Sequence, residues 1–145
     1  MKKLLLICSL CLGAALPAFA QSASDYRQRQ ADLTALSEIF GELHFIRRTC
    51  EPRTEADLWR DTMKKMVALE EPTATLRATM ASSFNKGYRS AQTNFPACDR
   101  RARDYAALKA LQGDSVLRRL SEPLYETANE QRGPLVITIP QNTDE

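Results

Sequence analysis

From about Ser24 onward, apolar residues return every three or four positions, the rhythm of a helix with one face turned to a core. Leu33, Leu36, Phe40, Leu43, Arg47 and Cys50 fall on one stripe, and Ile39 and Ile46 widen it. A first helix is therefore expected over roughly 24–50, closed by Pro52. A second opens at Thr54, with Asp57 three residues on as a near capping box. It carries Leu58, Trp59, Met63, Met66 and Val67 inward and stops before Pro72. A third begins near Thr73 or Thr75 and runs to about Asn94, with Leu76, Met80, Phe84, Gly87 or Tyr88, Ala91 and Phe95 along its stripe.

After Pro96 the pattern places Cys98 in the first turn of a fourth helix bearing Ala102, Tyr105, Leu108 and Leu111. Gly113 and a shift of phase to Leu117 and Leu120 predict a kink or a brief break. Ser121 and Pro123 suit the cap and first turn of a short last helix that ends before Gly133. The tail differs in kind. Leu135-Val136-Ile137-Thr138-Ile139 has high β-propensity and is closed by Pro140. Lacking a sheet to join, it is expected to lie extended over a helix groove, with pairing to another chain as the alternative. The pattern predicts an all-α fold: a small bundle of four to five helices, one disulfide and a short extended tail at 134–145.

The first twenty residues read differently again. Lys2 and Lys3 precede an apolar run from Leu4 to Leu16, and Ala18-Phe19-Ala20 is a small-x-small cleavage signal. The run is shorter than the roughly 20 apolar residues a spanning helix needs. Residues 1–20 are thus expected to be a cleavable signal peptide and 21–133 a helical domain placed in the periplasm. No lipobox is present, since Ile7 and Leu10 precede Cys8 and Cys11. Those two cysteines leave with the signal, and the mature chain keeps Cys50 and Cys98. In an oxidising compartment two cysteines usually pair. A bridge between them would stabilise the fold by about 3–4 kcal/mol on the chain-entropy description.

Processing also removes Lys2 and Lys3 from the 20 Lys and Arg, leaving 18 against 18 Asp and Glu. A neutral domain gives no bulk reason to bind nucleic acid or an anionic membrane. Roughly 125 residues suffice for one domain with a real core. Arg100, Arg101, Arg103, Arg118 and Arg119 make the fourth helix locally basic, but Asp99, Asp104 and Asp114 are interspersed, as on a solvated face. Peptidoglycan or anionic lipid is the weaker partner for that face.

Candidate chemistry is sparse. The sequence has no G-x-S-x-G elbow, H-E-x-x-H, phosphate-binding glycine loop or C-x-x-C-H. His44 is the single histidine and has no cluster of ligands at metal spacing, so neither a metal nor a cofactor is expected. The unusual stretch is Phe84-Asn85-Lys86-Gly87-Tyr88-Arg89. A glycine within a helix costs about 1 kcal/mol relative to alanine, which a close helix crossing would explain. Asn85 and Arg89 share a helix face, and with Arg47 and Tyr88 they form the candidate binding set for an anion or carboxylate. Gly87, Trp59 and Phe84 are read as structural.

Gly41-Glu42-Leu43-His44-Phe45-Ile46-Arg47-Arg48-Thr49-Cys50, then Trp59, then Phe84-Asn85-Lys86-Gly87-Tyr88-Arg89 with Cys98 following, resembles a family of small exported alphaproteobacterial proteins of unknown function. The resemblance spans roughly residues 30–103, and residues beyond Gly113 lie outside it. It implies a periplasmic or envelope location and one bridge, and it implies no activity. Asp99 departs from it, standing where a threonine is expected. The leading expectation is a non-enzymatic periplasmic interaction protein, accessory to envelope maintenance, with another envelope protein as partner. A small anion-binding protein and a cell-wall-acting enzyme using His44 are the alternatives.

Overall fold

The computed structural model describes residues 17–54 and 56–132, with side chains from 23 to 123. The expected tail at 134–145 and nearly all of the expected signal segment lie outside that range. Four helices follow one another: α1 (Pro17–Cys50), α2 (Leu58–Glu70), α3 (Ala74–Asn94) and α4 (Arg100–Arg132). Among the described residues there is no strand. No helix there is long and apolar enough to cross a membrane.

α1 is the centre. The other three helices pack on it, while contacts among themselves are slight. α2 runs back along α1: the Phe40 and Trp59 rings lie 5.7 Å apart, and the Arg29 guanidinium grips the Glu70 carboxylate at 2.7 and 2.8 Å. α3 runs parallel to α1, and α4 returns antiparallel, with Tyr105 opposite Glu42 and Arg119 opposite Asp32. Surrounded in this way, α1 is buried on nearly every side. Leu36, Leu43 and Ile46 are almost wholly inaccessible, and so are Ser37, Glu42 and His44. The expected stripe of Leu33, Leu36, Ile39, Phe40, Leu43 and Ile46 is its apolar part.

Two glycines set the closest approach. A Cβ on Gly41 would collide with the carbonyl of Phe84 and stand 2.9 Å from the amide nitrogen of Tyr88. A Cβ on Gly87 would collide with the carbonyl of Glu38. The contacts are reciprocal, each glycine meeting backbone of the other helix, so α1 and α3 touch with nothing between them. Met80 and Ala91 seal the core on either side of Gly87.

Several local expectations need correction. α2 starts at Leu58, because Thr54 is held in a turn by its amide bond to the Glu51 carbonyl (3.1 Å), and Asp57 makes no side-chain cap. Leu58 is half exposed rather than inward. α2 ends with Glu71 in the left-handed region (φ 43°), ahead of Pro72, which cannot continue the helix. α3 begins at Ala74, near the Thr73 or Thr75 start expected, and Thr73 caps it, its hydroxyl accepting from the Leu76 amide at 3.3 Å.

α4 is one unbroken helix and starts two residues after Cys98, with Pro123 inside it. The break expected at Gly113 is absent because the buried stripe runs on different residues: Ala102, Ala106, Gly113, Val116 and Leu120. Leu108, Leu111 and Leu117 are exposed, Leu111 at 69%. The small residues let α4 lie close on α1 and form the seam in place of the leucines. Ser121 turns back to the Arg118 carbonyl (3.0 Å) instead of capping a new helix. In the turn that Pro123 weakens, Arg29 donates to the Leu120 carbonyl at 3.1 Å and so joins α1 to α2 and α4.

The disulfide joins Cys50, the last residue of α1, to Cys98, with Cα atoms 5.1 Å apart. It fixes the exit of α1 to the approach of α4.

Thermal unfolding should separate the glycines sharply. Gly41→Ala and Gly87→Ala each force a methyl into backbone and should cost about 3 kcal/mol or more, the upper part of the overpacking range. Gly113→Ala should be neutral or stabilising by about 1 kcal/mol, since its new Cβ meets Ile39 at an ordinary 3.5 Å and removes a helix glycine. Equal melting temperatures for the three variants would contradict the crossing.

Candidate functional site

The residues singled out in the sequence divide between the α1–α3 seam and the surface. Gly87 and the Phe84 carbonyl form the seam itself. Tyr88 is half-buried, its ring 5.7 Å from His44 and edge-on to Phe45 at 5.3 Å. The Phe84 ring lies 5.7 Å from His44 on α1. Arg47 is half-buried in the last turn of α1, whereas Asn85 and Arg89 are exposed on α3.

His44 is only 4% exposed, between Phe84 and Tyr88, and its Nδ1 has no hydrogen-bond partner among the described residues. Burial first, and then the charge of Arg48, hold its pKa below the ordinary 6.5. It is a neutral aromatic in the core, not a group lining an open cleft. Among the described residues no set of three His, Cys, Asp or Glu side chains is placed to hold a metal ion.

Two buried carboxylates on α1 form ion pairs that the sequence pattern did not reveal. Glu42, 4% exposed, accepts from the Tyr105 hydroxyl at 2.8 Å and lies 2.9 Å from the Lys109 ammonium. Burial raises the Tyr105 pKa, and the adjacent Glu42 adds to it. Burial opposes the charge on Lys109, but the hydrogen bond and charge of Glu42 outweigh it and keep its pKa raised. Asp32 is paired with Arg119 at 2.6 Å, a bond that keeps its carboxyl below the usual range. Tyr105 in turn stacks on Phe95 at 4.6 Å. Most of the basic face of α4 is likewise occupied: Arg118 pairs with Asp114, Arg100 with Asp104, and Arg101 sits over Phe95.

An open trough lies between α2 and α3. Met63, Val67, Ala81 and Phe84 give it an apolar floor, and Arg60, Lys64, Arg77 and Asn85 edge it. It encloses about 400 Å³, within the roughly 300–1,000 Å³ usual for ligand sites. None of its lining residues is acidic. Lys64 has an exposed partner in Asp61 at 2.8 Å, while Arg60 and Arg77 enter no ion pair among the described residues. The depression beside α4 differs: Asp25, Asp32 and Glu122 face Arg29 and Arg119 there. Of the four residues proposed as a binding set, Asn85 lines the trough and Arg47, Tyr88 and Arg89 do not.

The model of a family described as "Protein of unknown function (DUF2385)" matches residues 28–123. The chain belongs to this family. No curated protein and no solved structure matches it. The DUF2385 match covers α1 from its exposed N-terminal part onward, all of α2 and α3, and α4 as far as Pro123. It therefore takes in the glycine crossing, the disulfide, both buried ion pairs and the trough, and reaches well past residue 103, where the resemblance in sequence stops. Asp99, the apparent departure, is a helix cap, for its carboxylate accepts from the Ala102 amide at 2.8 Å at the start of α4.

Burial of His44 predicts a pH dependence. Unfolded, its imidazole takes up a proton near pH 6.5; folded, it resists protonation to lower pH. The unfolded state then binds more protons in that interval, so stability should fall as pH drops through 6.5. Arg48, Asp57, Arg60 and Asp61 are the charges that act on it, and the acids only partly offset the bases. Urea unfolding at pH 7.5 and pH 5.5 should show the loss in the natural chain and a smaller one in His44→Phe. An unchanged slope in the variant would show that another group titrates.

Proposed function

We propose that this protein is a non-catalytic docking protein of the periplasm and that the α2–α3 trough is its docking surface. The trough carries this reading. Met63, Val67, Ala81 and Phe84 line it beneath a rim of one charge, in a mature domain whose overall charge balances. Contiguous apolar surface framed by polar residues marks interaction sites on soluble proteins. The only histidine, which an acid–base mechanism would call upon, is buried against two aromatic rings. The periplasmic location is supported by the charged, apolar and small-x-small segments of residues 1–20 and by a bridge suited to an oxidising compartment. A role in envelope maintenance is the process such a location suggests.

Two measurements test it. The protein recovered from the periplasmic fraction should begin at Gln21, and recovery from the cytosol with residue 1 intact would remove the location. A photo-crosslinking phenylalanine analogue in place of Ala81 should join the protein to a partner in the living cell, while the same analogue at Gln112 on α4 should not. Absence of any crosslink from residue 81 would remove the docking surface.

A further inference from the structure

We infer that the occupant of the trough is an amphipathic helix of a partner protein, with an apolar stripe edged on both sides by aspartate and glutamate. This rests on the docking reading above and adds the chemistry of the partner.

Shape is the first reason. The walls are two antiparallel helices contributing matched rows: Arg60, Met63, Lys64 and Val67 from α2, and Arg77, Ala81, Phe84 and Asn85 from α3. Each row spans two turns or slightly more, about 10–12 Å at 1.5 Å per residue. Two helices set side by side over a third leave a channel into which the ridge of a further helix fits.

Backbone chemistry is the second. The wall helices spend their own amides and carbonyls internally, and the trough offers an entering chain mainly side-chain cations and one amide, Asn85. An extended peptide would bury backbone groups there without partners, at a cost a helix avoids by bonding to itself.

Charge is the third. Arg60 and Lys64 stand on one wall and Arg77 on the other, with no acid between them. Covering them with a neutral or basic surface would strip water from Arg60 and Arg77 and return nothing. A single-headed anionic amphiphile brings one charge to cations spread along two walls. A helix with acids on both edges meets each wall, and those contacts favour the correct partner by complementarity.

The test uses the purified oxidised chain and two labelled 18-residue helical peptides with the same leucine stripe, one edged with glutamate and one with lysine. Fluorescence anisotropy should show the glutamate peptide binding at least tenfold more tightly. The margin should shrink at 0.5 M salt, and Arg60→Glu/Arg77→Glu should reverse the preference. Circular dichroism on the double variant, whose two positions are exposed, verifies that it stays folded. Equal binding of both peptides, preference for the lysine peptide, or capture by bare phosphatidylglycerol vesicles with the same charge-reversal sensitivity would each overturn the inference. If residue 81 still crosslinks to a protein in cells, the docking surface survives and only the partner's chemistry is wrong. If it does not, the docking surface itself fails.

Discussion

Where α1 crosses α3, backbone meets backbone. Gly41 rests on the carbonyl of Phe84 and Gly87 on that of Glu38, and no side chain larger than hydrogen fits at either point. The two helices therefore meet without the side-chain spacers that set the usual axis separation of roughly 8–10 Å. Everything near the crossing is adjusted to it. The Phe84 and Tyr88 rings, thrown to the sides of the contact, close over His44, and the Glu42 side chain is directed to α4, where Tyr105 and Lys109 meet it.

A helix surrounded on three sides holds several polar residues away from water, and Ser37, Asp32 and Glu42 find partners inside. Ser37 returns its hydroxyl to the Leu33 carbonyl at 2.7 Å. Asp32 and Glu42 bind cations from α4, and these pairs set the register of α4 along α1. Buried ion pairs seldom add much net stability, because desolvation offsets their attraction, but breaking one strands a charge. Their effect here is on register: a shift of α4 by one turn would separate Glu42 from Lys109 and Asp32 from Arg119 together. The disulfide acts in the same sense at the far end of the bundle.

The helical class, the start of α3 near Thr73, the inner stripe of α1 and the cysteine pair were legible from spacing and from residue chemistry. Gly87 as a crossing was legible too, through the penalty a helix glycine carries. Its counterpart Gly41 lay unremarked within a longer segment, since nothing in one sequence says which two glycines will face each other. The differences in α4 share one cause. Apolar spacing gives most weight to large residues, yet a helix laid close on another buries alanine and glycine and leaves leucines such as Leu108 and Leu111 outside. The trough was illegible for a different reason. Arg60 and Arg77 lie on separate helices 17 positions apart, and only their packing on a common α1 sets them on facing walls.

Because α2 touches α1 alone to any extent, the bundle has one helix that all others need and a gap that two of them border. That inequality has a direct readout in native-state hydrogen exchange, which ranks segments by the free energy needed to open them. Amides at 36–46 of α1 should be the last to exchange, with α2 released well before them. Exchange from the centre of α1 ahead of α3 or α4 would contradict a fold built on the α1–α3 contact.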